Sequence, residues 1–374
     1  MPANGTDPAQ VRPQKRPPAE VSRRGLLSTL GLGGLALPLA GFAPAGADRR
    51  AFEAMLRQAP TCLQPAAAAT PAGAARKLKL AWNATSVCTS PVEVARRSGI
   101  LAKHGLEVEL VNFGGSTEML LEAIATRKAD AGVGMALRWL KPMEMGFDVK
   151  VTGGTHGGCM RLAGLASAGI TTDIQSIRGK TIAVADMAGA DKNFFSMLLK
   201  RRGLDPDRDV TWRVFPPHVF GLALDRGEAQ AFVAGDPIAW TLRRDKDLVE
   251  VATNLSGEWA DRACCIIGVS GALVRDEPQV AAALTRALVE AQHVAAMNPE
   301  LAADAFMDYA PGKVSREDLL AILKSHTHGH SPTGADIRRE IELYAEELKS
   351  VGVLRASTDP KRFAARVTAE GLSV

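Results

Sequence analysis

At 374 residues and a formal net charge of +4, the chain is long enough to bury a large core and to divide into lobes. The positive balance is concentrated at the start, where Arg12, Lys15, Arg16, Arg23 and Arg24 stand against Asp7 and Glu20, leaving about +1 beyond Ala47. A remainder so close to neutral gives no case for nucleic acid or a membrane surface as partner, and no segment after residue 47 approaches membrane-spanning length.

Ser22-Arg23-Arg24-Gly25-Leu26-Leu27 is a twin-arginine sequence that runs into an apolar, glycine-rich stretch, Ser28 to Ala43, and then into small residues. This is the pattern of a bacterial leader addressed to the twin-arginine (Tat) export machinery. Gly31, Gly33, Gly34, Gly41 and Pro38 interrupt the stretch, which is short for a stable span. A leader over residues 1–47, cut near Ala45 or Ala47, is expected, and with it a periplasmic location; the alternative is an uncleaved anchor. No cysteine closes the apolar run, which argues against a lipid anchor. Residues 48–75 read as a linker, with Ala59-Pro60, Pro65 before an alanine run, Pro71 and Gly73.

From Arg76 the pattern alternates short β-branched runs with amphipathic helices. Strands are predicted over Lys77 to Trp82, Glu107 to Phe113, Ala129 to Gly134 and Val149 to Gly154, with helices over Pro91 to Ser98 and Ser116 to Arg127. A second set follows: strands at Thr181 to Asp186, Val210 to Val214, Ala231 to Ala234 and Leu248 to Asn254, with helices at Asp191 to Arg202 and Gly221 to Arg226. Repeated strand-helix-strand units imply mainly parallel sheets flanked by helices, and this many units need two sheets. Cys264 to Val269 is a returning strand. Pro278 to Met297, Pro299 to Tyr309, Ser315 to Ser325 and Ala335 to Val351 are helices. The expected lobes are residues 76–165, then 166–262, then a return over 263–374.

Cysteine use is open. Cys62, Cys88, Cys159, Cys264 and Cys265 make an odd number. An oxidising compartment favours disulfides, whereas export of an already folded chain preserves free thiols.

Several ordered segments carry a resemblance: Ser98-Gly99-Ile100-Leu101-Ala102-Lys103-His104-Gly105-Leu106, Gly114-Gly115-Ser116-Thr117, Ala123-Ile124-Ala125-Thr126-Arg127-Lys128-Ala129-Asp130, Leu224-Asp225-Arg226-Gly227-Glu228-Ala229 and Asp236-Pro237. Together, from about Leu78 to Val353, the chain resembles the substrate-binding proteins of ABC importers, in the branch that includes nitrate, sulfonate, taurine, bicarbonate and thiamine-precursor binders. The resemblance implies an α/β, two-lobed periplasmic binding protein type II fold. It also implies a small-molecule ligand gripped by hinge closure, an ABC permease with its ATPase as partners, a monomer, and no cofactor.

The candidate ligand residues fall where strands end, the edge at which open sheets bind ligands. Trp82, Asn83, Thr85 and Cys88 follow the first strand and offer an aromatic plate, an amide and a hydroxyl. Gly115, Ser116 and Thr117 leave free amides at a helix start, or merely cap it. Met135 and Arg138 follow the third strand, Thr155 and His156 the fourth, and Cys264 opens the returning strand. In the second lobe Met187, Gly189 and Ala190 open a helix start. Asp236 either accepts a hydrogen bond from the ligand or caps the helix begun by Pro237, and Trp240 either stacks over the ligand or fills core. An oxyanion would need a guanidinium or ammonium, for which Arg138, Arg161 and Lys192 are best placed.

Two rival readings stay open. Cys88, Cys159, His156 and Cys264-Cys265 could gather as a soft-metal or redox site, and His326, His328 and His330 alternate as a chelating row would, or as a polar loop. The third reading is a binding or synthesis protein for a pyrimidine precursor. No Gly-x-Ser-x-Gly elbow, phosphate loop or His-Glu-x-x-His is present, so a binding protein rather than an enzyme is expected.

Overall fold

The computed structural model describes residues 75–374 except 114–116, 311, 313, 328, 370 and 373, and of residues 117 and 118 only the backbone. The expected leader, nearly all of the expected linker, Cys62, Gly115, Ser116 and His328 therefore lie outside the described residues.

The chain alternates strand and helix. β1 (Arg76–Trp82) leads to α1 (Ser90–Arg97) and α2 (Ile100–Lys103), β2 (Leu106–Asn112) to α3 (Thr117–Ala125), and β3 (Ala131–Met135) to α4 (Ala136–Glu144). β4 (Val149–His156) passes directly to β5 (Met160–Gly164). Then follow β6 (Thr181–Val184), α5 (Ala190–Arg201), β7 (Thr211–Val214), α6 (Phe220–Asp225), β8 (Ala231–Gly235), α7 (Ile238–Asp245) and β9 (Val249–Thr253). After β10 (Cys265–Ser270) the chain is helical: α8 (Gly271–Asp276), α9 (Pro278–Met297), α10 (Pro299–Tyr309), α11 (Arg316–Ser325), α12 (Gly334–Ser350) and α13 (Pro360–Val367).

Local chemistry explains the boundaries. α1 carries Pro91 in its first turn, where a missing N–H costs nothing, with Glu93 early and Arg96 and Arg97 late, in step with the helix dipole. Gly99, at φ +69°, turns the chain away in the left-handed region. α9 buries Ala281, Leu284, Leu288 and Ala291, one face at helical spacing, and that face lies on α1 and β4.

The first sheet has the order β2-β1-β3-β10-β4 and the second β7-β6-β8-β5-β9. β1 pairs parallel with β2 and β3, while β10 runs antiparallel between β3 and β4. The second sheet repeats the plan, with β5 antiparallel between β8 and β9. Each sheet is thus mainly parallel, with one reversed strand. β5 belongs to the second sheet, so the chain leaves the first sheet before Met160, not after residue 165 as the sequence suggested. All five residues of β5 are buried, Arg161 included; a strand covered on both faces shows no two-residue alternation, which hid it.

Candidate functional site

The carboxyl ends of the parallel strands in the two sheets meet where the chain crosses between them. Cys265, the first residue of β10, lies opposite Met135 at the end of β3 and opposite His156 at the end of β4. On the other side Met160 lies opposite Gly235 and Arg161 opposite Thr253. The two crossovers are bonded to one another. Asn254 Oδ1 accepts from the amides of Cys159 (2.9 Å) and Met160 (2.7 Å), and the Cys264 amide donates to His156 O (2.9 Å). Gly157 and Gly158 permit this approach: a Cβ on Gly157 would meet Ala260 O at 2.7 Å, and one on Gly158 would collide with the Asn254 carbonyl.

On the first-sheet edge Trp82 is buried and packs edge-to-face on Tyr309, with centroids 4.7 Å apart. Asn83 organises its own turn: its Oδ1 accepts from the Thr85 amide (2.9 Å) and hydroxyl (2.7 Å), and its Nδ2 donates to Ser86 (3.0 Å). Thr85 itself faces solvent. Met135 is half-buried beside this edge. Thr155 Oγ1, Tyr309 Oη and both ring nitrogens of His156 are buried with no hydrogen-bond partner. Orphaned polar atoms in a native interior call for an explanation, and a ligand is one.

The second-sheet edge faces this one through α5. Asn193 Nδ2 donates to Leu137 O (3.0 Å), and Arg138 pairs with Asp186 (2.8 Å), so the starts of α4 and α5 are tied together. Met187 is exposed and Ala190 is buried. Gly189 sits in a turn where an added Cβ would meet Asp186 O at 2.9 Å. Asp191, in the first turn of α5, has its carboxyl pushed up to about 6, chiefly by burial and further by Asp186. Lys192 lies over the Trp212 ring, 5.7 Å from its centroid.

Asp236 is 3% exposed and already bonded on every side. It accepts from Arg161 Nε (3.1 Å) and Nη2 (3.0 Å), from His326 Nε2 (3.0 Å) and from the Trp240 amide (3.1 Å). Burial alone would raise this carboxyl; His326 and Arg161 outweigh it and hold it below the ordinary carboxylate range. Arg161 also binds Glu250 (2.8 Å) and Ser325 (2.9 Å). Trp240 is half-buried, between Arg161 and Arg243, and donates to Asp318 (3.2 Å). Asp236 and Trp240 thus join the second sheet to both ends of α11. The alternate histidines do not form a row: His326 binds Asp236, whereas His330 binds Glu340. Tyr309 and Ser325, which complete this region, escaped the sequence reading because they come from helices more than 200 and 160 residues downstream of the groups they meet.

Four cysteines close the base of the site. Cys88, Cys159, Cys264 and Cys265 are buried free thiols. Cys88 Sγ lies 3.8 Å from Cys265 Sγ, and Cys159 Sγ 3.7 Å from Cys264 Sγ. Contacts from Cys159 and Cys265 pull the Cys88 thiol down despite its burial. Burial would lower His156, but the neighbouring Cys88 raises it.

A family model described as the NMT1-like family matches residues 72–307. Among solved structures, the alkanesulfonate-binding protein from Xanthomonas axonopodis pv. citri, bound to MOPS, is 15% identical at a TM-score of 0.64, covering 78% of this chain and 99% of that one. The periplasmic nitrate-binding protein from Synechocystis is 19% identical at 0.66, covering 79% and 86%. A Candida albicans protein described as having the generic periplasmic binding protein fold is 13% identical at 0.62, covering 80% and 98%. These likenesses give the fold expected from the sequence, the periplasmic binding protein fold with two sheets flanked by helices. No curated protein matches the chain.

Proposed function

The chain belongs to the NMT1-like family, and on that premise we propose that it is the extracytoplasmic solute-binding component of an ABC importer. It captures a small molecule between its two sheets and presents it to a permease and its ATPase. It reaches the periplasm through the twin-arginine route, acts as a monomer and performs no chemistry on its ligand. One observation carries this reading: the carboxyl edges of the two sheets meet at the chain crossovers, and on the first-sheet side Thr155 Oγ1 and Tyr309 Oη are buried polar atoms with no hydrogen-bond partner of their own. A ligand that bonds to both edges at once stabilises the closed arrangement over the open one, whereas one bonded equally in both shifts nothing.

The related structures bind nitrate and alkanesulfonates. Here the guanidinium groups at the edges are already neutralised, Arg138 by Asp186 and Arg161 by Asp236 and Glu250. That balance favours an uncharged, hydrogen-bonding ring compound that reaches Thr155 Oγ1 and Tyr309 Oη beside the packed Trp82–Tyr309 pair over an oxyanion. A thermal-shift screen of nitrate, alkanesulfonates, bicarbonate, pyrimidines and other uncharged heterocycles tests it. A ligand at about 100 times its dissociation constant adds about 2.7 kcal/mol. Uncharged heterocycles should shift the melt, and Trp82→Ala and Tyr309→Phe should weaken the response. A shift with oxyanions alone refutes the uncharged ligand and keeps the receptor. No shift with any solute, together with unchanged small-angle scattering, refutes the receptor.

A further inference from the structure

The thiol cluster adjoins the hydrogen-bonding atoms assigned to the solute, His156 following Thr155 in β4, and it has the composition of a metal centre. Cys88 follows β1, His156 ends β4 and Cys265 begins β10, so three separate segments of the first sheet bring their side chains together. The ligating atoms of these three residues lie within 4.8 Å of one another. Cys159 and Cys264, one on each crossover, complete a ring of four sulfurs.

The distances carry the argument. Two sulfurs bound to one tetrahedral ion at about 2.3 Å each stand about 3.8 Å apart, which is the Cys88–Cys265 separation of 3.8 Å. His156 is 1% exposed, and neither ring nitrogen has a hydrogen-bond partner. Burying an imidazole without a well-formed hydrogen bond is unfavourable, and a bond to an ion removes part of that penalty. Thiol and imidazole donors with no carboxylate among them select a soft or borderline ion and reject calcium and magnesium. Two thiolates and a neutral imidazole around a divalent ion sum to zero charge, the arrangement that dry surroundings tolerate best.

We propose that Cys88, Cys265 and His156 bind one thiophilic divalent cation of the zinc type, these three being its only protein ligands. Binding displaces the two thiol protons of Cys88 and Cys265 to solvent, with no change of oxidation state. The ion then holds β1, β4 and β10 together at the point where the chain crosses between sheets. This inference does not depend on the identity of the solute or on whether one binds.

Cobalt(II) is the probe. The full chain, reduced and freed of metal under anaerobic conditions, is titrated with cobalt while absorbance, pH and the circular dichroism spectrum are followed. One cobalt per chain should bind, with a thiolate charge-transfer band, intense tetrahedral bands in the red, about two protons released, and displacement by zinc. Cys265→Ser and His156→Gln should each weaken binding by more than about tenfold, whereas Cys62→Ser should not. Spectra of the metal-free variants establish that they are folded; if Cys265→Ser is not, His156→Gln decides. The proposal is overturned if the reduced, folded chain shows no thiolate band at one equivalent of cobalt. It is equally overturned if His156→Gln and Cys265→Ser both bind as the parent does. Intact mass showing that the purified protein holds Cys88–Cys265 and Cys159–Cys264 as disulfides also overturns it.

Discussion

Asp236 accepts hydrogen bonds from Arg161, His326 and the Trp240 amide while almost wholly removed from water. Removing its carboxylate takes from the buried Arg161 guanidinium one of its two carboxylate partners, Glu250 remaining, and takes from His326 its hydrogen-bond partner; breaking a buried ion pair costs about 3–5 kcal/mol in other proteins. Asp236→Ala should therefore lower the urea midpoint by an amount of that order, with or without solute present. Because the folded state holds this carboxyl below its ordinary value of 3.8, its contribution is present above that value and is lost as pH falls through the lower folded one. Asp191 has the opposite sign. Its carboxyl is raised to about 6 in the folded protein, so at neutral pH its charge opposes folding, and the opposition vanishes as pH falls below its ordinary value of 3.8. Asp191→Asn, which keeps an oxygen for the Lys192 amide, should stabilise the protein at pH 7.5 by on the order of 3 kcal/mol. Thermal melts of parent and variant should converge below about pH 4. A gain that persists at pH 3 would show that the carboxylate charge is not the cause.

At the scale of elements, what could be read in advance follows from how much periodicity each segment displays. α9 and α10 run between the residues expected, Pro278–Met297 and Pro299–Tyr309, because a proline opens each and one apolar face repeats along it. β5 and α4 were missed, each for its own reason. β5 is buried on both faces, and α4 begins at Ala136 directly after β3 with no turn residue between them. The places of Trp82, His156 and Asp236 at or just beyond strand ends were legible in the pattern, whereas their contacts with Tyr309 and His326 were not, since nothing local to a helix announces what it will meet across the fold. Gly157 and Gly158 stand where the two crossovers pack closely. Gly158→Ala would press a methyl group onto the Asn254 backbone, and overpacking against backbone costs about 1–3 kcal/mol or more. Gly329→Ala, where nothing lies within 4 Å, is the control: paired urea titrations should separate the two, and equal stabilities would sink the packing account.

At the scale of the whole molecule, the two sheets are joined by more than the two crossovers. Arg138 on α4 pairs with Asp186 beyond β6, and Asp186 is half-exposed, so the pair contributes no more than about 1 kcal/mol to stability. In the hinge closure proposed above, the same pair would bias the open and closed forms, since a two-state equilibrium responds tenfold to about 1.4 kcal/mol. Arg138→Ala should leave the urea midpoint nearly unchanged, enlarge the radius of gyration of the ligand-free protein by scattering, and weaken solute binding. An unchanged radius would mean that the ion pair does not select the closed form.

α11 supplies the remaining joint. Near its start Asp318 meets Trp240 and Arg244 of α7, and at its end Ser325 and His326 meet Arg161 and Asp236, while its body packs with α10 against the first sheet's helices. A displacement of this rod would therefore strain the contacts of Arg161 and Asp236 directly. A membrane partner that leaned on α11 would have a handle for unloading the vessel from outside, without reaching inside to touch what it carries.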